Sequence, residues 1–138
     1  MKKMGAAIAA GMIAITLSGC STGSGEPSTT PEPSTPGEVV ALYEAAGYGC
    51  PSHENKRVLN SGQTTTECGS DVLRTYDNTE ARDDDLKGIQ EGLDALNKLS
   101  SIPAPVEVAY GDLWSVRSDN AKDIADKTGA KYIKYTAH

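Results

Sequence analysis

Phenylalanine is absent from this 138-residue chain, tryptophan occurs once and histidine only twice. Without Phe, aromatic burial must come from six Tyr and the single Trp114. With only His53 and His138, histidine-based catalysis has little to draw on. Ser52 and Asp71 are possible triad partners of His53, but no G-x-S-x-G elbow accompanies them, so His53 reads as an exposed loop residue. His138, the last residue, reads as mobile. The glycines at 47, 49, 62 and 69 fit neither a P-loop nor a dinucleotide spacing, and no nucleotide or other cofactor is expected. No metal is expected either. Asp83-Asp84-Asp85 are consecutive in a helical stretch, where neighbours diverge by about 100° and cannot converge on one ion.

Long apolar runs are also scarce. The one present, Gly5 to Thr16, follows Lys2 and Lys3 and is closed by Leu17-Ser18-Gly19-Cys20. It is shorter than the roughly 20 residues a bilayer core needs, so it reads as an export signal rather than a spanning helix. The order of basic head, apolar run and Leu-Ser-Gly-Cys resembles the leader and lipobox of bacterial lipoproteins. That resemblance implies a signal peptide over residues 1–19, a diacylglyceryl group on the Cys20 thiol and a mature chain that begins there. Its partner is then the membrane, reached through the lipid on the extracytoplasmic face of the cell. One acyl chain gives marginal binding and two give a stable anchor.

Basic residues are outnumbered, 13 against 19 acidic, and loss of residues 1–19 removes two more of them. The acidic balance argues against nucleic acid and against a polybasic hold on anionic lipid. Residues 20–37 combine the lipidated Cys with a Ser/Thr/Pro-rich stretch, STGSGEPSTTPEPSTPG, that has no large apolar side chain. This reads as a tether with a reach of about 20 to 50 Å. An unmodified spacer is the preferred reading, though the composition also suits O-glycans.

Residues 38–138 form one small domain with seven Val, four Ile and eight Leu, a lean core that would gain from a staple. Cys50 and Cys68 are an even pair in an oxidising location, and a bridge between them contributes about 3 kcal/mol in the chain-entropy model. A reactive thiol or a metal pair are the alternatives, without C-x-x-C spacing to support either.

Local chemistry places the elements. Thr35, Pro36 and Glu38 spell a capped helix start, Val39, Leu42, Tyr43 and Ala46 form its stripe, and Gly47 stops it. Residues 56–60 and 63–68 read as strands about Ser61-Gly62, and 72–76 as a third. A long helix follows one of the caps Asp77, Asn78 or Thr79, with an apolar face of Leu86, Ile89, Leu93 and Leu96; Gly88 and Gly92 weaken it or permit close packing. Pro103 and Pro105 end it. Strands are expected at 106–110 and 113–117, then a helix capped by Ser118 or Asp119 and closed by Gly129, and last an edge strand at 131–136 guarded by Lys131 and Lys134. The fold class is α+β: an antiparallel sheet of four to six short strands with about three helices packed on one face and one disulfide. Trp114 reads as core, with an aromatic platform over Tyr110 to Trp114 as the alternative.

Cys50, Cys68, Tyr76-Asp77, Gly111-Asp112-Leu113-Trp114 and Gly129 also resemble, in order and spacing, a group of small lipoproteins of high-GC Gram-positive bacteria. That resemblance implies the fold and the bridge but no activity. The expected function is a non-catalytic binding or interaction module at the cell envelope, with an envelope protein or glycan as partner. The alternatives are an inhibitor or phage-exclusion lipoprotein presenting a rigid loop over 48–56, or an envelope enzyme or accessory protein built on His53.

Overall fold

The computed structural model describes residues 31–138. The expected signal peptide over residues 1–19 and the expected lipid site at Cys20 lie outside them. The element order is α1 (Pro36–Ala45), β1 (Asn55–Val58), β2 (Gln63–Cys68), β3 (Asp71–Tyr76), α2 (Thr79–Lys98), β4 (Val106–Tyr110), β5 (Trp114–Arg117), α3 (Ala121–Thr128) and β6 (Lys131–Tyr135). The six strands pair antiparallel throughout, in the order β1-β2-β3-β5-β4-β6. The α+β class, the helices and the Cys50–Cys68 disulfide are as the sequence led us to expect. Among the described residues no helix is long and apolar enough to cross a membrane.

The helices do not gather on one face, which corrects the expected layering. Side chains alternate across a strand, so register assigns the faces. Leu73 pairs with Thr66 and Val116, Thr75 with Trp114, and Val116 with Ala109. This face meets Val39, Val40 and Tyr43 of α1 and Ala121, Ile124 and Ala125 of α3 in one core. Arg74 and Tyr76 point the other way, toward α2, where Asp85 accepts from Arg74 Nη1 at 2.6 Å and from the Tyr76 hydroxyl at 2.7 Å. Ser115 Oγ lies 2.7 Å from the same hydroxyl. Burial first, and then the Asp85 charge, push the Tyr76 phenol above its ordinary value.

Caps fall largely where local chemistry puts them. Thr35 and Glu38 form the capping box of α1, and Asn78 Oδ1 accepts from Ala81 N at 2.8 Å to open α2. The cap of α3 is Asn120, without a side-chain bond; Ser118 is its neighbour, holding Asn120 N at 3.0 Å. The hairpin between β1 and β2 is wider than expected. Val58 pairs with Gln63, and the intervening loop places Asn60 and Gly62 at positive φ. The α2 stripe is only partly covered: Leu86 and Leu93 are buried, but Leu96 is exposed, followed by exposed Leu99 and Ile102. His138 is held rather than loose, its N–H donating to Asp94 and its carbonyl accepting from Asn97.

The disulfide joins two buried cysteines 18 residues apart and ties the turn after α1 to the end of β2. Replacing both with Ala is expected to cost about 3 kcal/mol, read as a lowered urea midpoint, and reduction of the native chain is expected to cost the same. Gly88 and Gly92 face open space, so close packing is not their role. Gly88→Ala and Gly92→Ala should each raise stability by about 0.5–1 kcal/mol in the same titration.

Candidate functional site

The β4–β5 turn is built around one peptide group. Tyr110 pairs with Ser115, and Gly111 N donates to the Trp114 carbonyl at 3.1 Å, closing the corner. Arg82 rises from α2, nearly buried, and its Nη1 donates to the carbonyls of Gly111 at 3.0 Å and Asp112 at 3.1 Å. Its guanidinium lies 5.7 Å from the centre of the Tyr110 ring. On the opposite side the N–H of Asp112 donates to Glu32 Oε1 at 2.5 Å. The Gly111 carbonyl and the Asp112 N–H belong to the same peptide group. It therefore meets a cation at its oxygen and an anion at its nitrogen.

Glu32 comes from the stretch that composition assigns to the spacer. Residues 31–35 instead lie against the domain, and the capping box aims them. The N–H groups of Ser34 and Thr35 both donate to Glu38 Oε2 at 2.9 Å, and the Thr35 carbonyl takes the N–H of Val39. Those backbone bonds hold the Glu38 carboxyl below its usual range. The chain entering α1 thus has a set direction, and Glu32 is carried to the corner. Gly111 permits this approach, because a Cβ there would collide with both the Glu32 carboxylate and the Trp114 indole nitrogen.

Beside this corner lies a groove of about 850 Å³. One wall is the face of α1 that carries Glu38, Ala41, Leu42, Ala45 and Ala46. Tyr110 to Asp112 and Trp114 form the floor, and residues 127–131, from the end of α3 to the start of β6, form the far wall. Pro31, Glu32 and Pro33 form the last side. The volume lies within the range of ligand clefts, about 300–1,000 Å³. Leu42, expected in the core, is half-buried and lines the groove.

Trp114 is 2% exposed and belongs to the core, yet its indole edge faces the groove side of Gly111. Its Nε1–H is buried and without a hydrogen-bond partner among the described residues. A buried donor left unpaired costs about 1–3 kcal/mol, so it is a specific place for an acceptor. The core reading of this residue is realised: Trp114 packs in the core, with its indole edge turned toward Gly111.

Charge at the groove's far wall is set by α3. Lys127 Nζ donates to the Ala46 carbonyl at the end of α1 at 2.9 Å and pairs with Asp123 at 2.7 Å. Asp123 also accepts the Tyr48 hydroxyl at 2.5 Å. The Asp123 bond raises both Lys127 and Tyr48 above their ordinary values, and Lys127 leads in lowering Asp123. Lys131 differs: its amine sits 5.9 Å from the Tyr110 ring centre and has no ion-pair partner among the described residues.

The sequence-expected chemistry falls elsewhere. His53 is exposed, on the segment between the disulfide and β1, and does not line the groove. Within residues 48–56, Cys50 is buried and Tyr48 half-buried, while 51–56 are exposed. Asp83 pairs with Arg82, Asp85 with Arg74, and Asp84 is exposed, so the three acids diverge. Among the described residues no three His, Cys, Asp or Glu side chains converge as a metal set. Comparison of the chain with protein-family models, with curated proteins and with solved structures found no match.

Gly111→Ala should displace Glu32 and crowd Trp114 together. We expect a loss of about 1–3 kcal/mol and a shift in the emission of this only tryptophan, measured by fluorescence-detected unfolding.

Proposed function

We propose that the chain is a lipid-anchored, extracytoplasmic, non-catalytic binding module whose recognition surface is the groove beside Trp114. The observation that carries this reading is the groove itself: an apolar wall, a backbone corner and a buried, unpaired indole donor meet in one concave surface. Concave, mostly apolar clefts with a few fixed polar groups are where ligands bind. Its lining offers donors, carboxylates and aromatic surface, a set suited to holding a ligand. The leader supports the location, with Lys2 and Lys3, a short apolar run and Leu17-Ser18-Gly19-Cys20. The partner is an envelope protein or glycan, met outside the cytosol at the distance the spacer allows.

Two measurements test the reading. Labelled palmitate should be incorporated into the wild-type chain and not into Cys20→Ser, which should appear in the medium. Incorporation into both, or an intact leader in the cytosol, would sink the anchor. Ala45→Arg plugs the groove from an exposed position of α1 and should abolish retrieval of envelope material while leaving the urea midpoint within about 0.5 kcal/mol.

A further inference from the structure

The groove already holds a piece of its own chain, and that piece indicates what else it takes. Resting on the binding-module reading, we propose that the groove recognises an extended, proline-flanked segment bearing a carboxylate on a partner protein. Pro31-Glu32-Pro33 is its resident competitor.

Three features of the strap make it a stand-in for such a ligand. Proline on both sides of Glu32 favours the extended polyproline II form, which presents the carboxylate with little ordering cost. The carboxylate accepts the N–H of Asp112, a backbone donor that any similar acid can use. The indole edge of Trp114 lies beside the strap at Gly111, an aromatic surface of the kind that generally receives proline-rich segments.

Three more features show that the strap does not complete the site. The indole N–H of Trp114 stays unpaired although Glu32 and that nitrogen crowd the same side of Gly111. Pro31, Glu32 and Pro33 border only one side of the groove. The groove retains about 850 Å³ beside the strap, room for a longer segment than three residues supply. Glu32 itself is exposed. A partner segment that satisfies both Asp112 N–H and Trp114 Nε1–H gains a hydrogen bond that the strap lacks. It must still compete with a strap held at an effective concentration of order millimolar by its short link to α1.

The test uses the full chain in detergent, the end-blocked peptide Thr-Thr-Pro-Glu-Pro-Ser copied from residues 29–34, and the emission of the single Trp114. Glu32→Ala removes the competitor's carboxylate from an exposed position outside every helix and strand, and its urea midpoint, measured alongside, separates a loosened corner from a change in binding. The peptide should shift the emission of Glu32→Ala saturably and bind wild type at least about tenfold more weakly. A peptide with Gln for Glu should shift neither. Equal responses from the two proteins, or no response from Glu32→Ala, would overturn the proposal. Retrieval of an envelope partner equally by wild type and Ala45→Arg would leave the module reading standing and remove the groove from it. Peptide binding by Glu32→Ala with no envelope partner retrieved would uphold the groove's chemistry and sink the module reading instead.

Discussion

The peptide group between Gly111 and Asp112 is gripped from both ends by side chains far away in the chain. Arg82 of α2 holds its oxygen and Glu32 of the strap holds its nitrogen. Backbone polar groups at a turn require partners when the turn is crowded, and this turn is crowded on one side by the Trp114 ring. The two grips come from opposite faces of the sheet, since α2 packs beneath and the strap leads into α1 above. Through this one planar unit the layers are registered against each other. The corner is fixed from both sides: the groove's floor includes that peptide, and one side of the groove is the strap that holds it.

A Phe-free domain cannot fill its interior with large rings, and the structure divides the work accordingly. One face of the sheet is packed with aliphatic side chains, Tyr43, Trp114 and a disulfide. The other is joined to α2 through a largely polar layer of Arg74, Asp85, Tyr76 and Ser115, with Leu86 and Leu93 supplying buried apolar contact. Ion pairs of this kind are weak sources of net stability but position their partners closely. The α2 layer is therefore oriented by polar bonds, while the α1/α3 layer carries most of the apolar burial.

What could be read from the sequence was what neighbouring residues decide among themselves. Thr35 with Glu38, Asn78 and Gly129 announce helix ends because a cap is satisfied within a few residues. Strand alternation and the Lys-guarded edge of β6 were legible for the same reason. The side of the sheet that α2 takes was not. Leu86 and Leu93 specify an apolar stripe but carry no information on which face receives it; the decision lies with Arg74 and Tyr76, whose partners are on another element. The groove was less legible still. Its bond between Glu32 and Asp112 spans 80 residues, and Glu32 stands in a proline-rich stretch whose composition suggests solvent. The one available signal was Gly111-Asp112-Leu113-Trp114, where a glycine three positions before the aromatic that closes the turn marks a place of close backbone approach.

The rims of the sheet bear on how these molecules sit beside one another. β1 and β6 are the outermost strands, and each displays lysine or arginine: Lys56 and Arg57 on one, Lys131 and Lys134 on the other. Two copies that tried to zip along matching rims would bring like charges face to face, and desolvating them would oppose the new ladder. A sheet finished in this way stays finite. Its copies can be crowded together without growing into fibres.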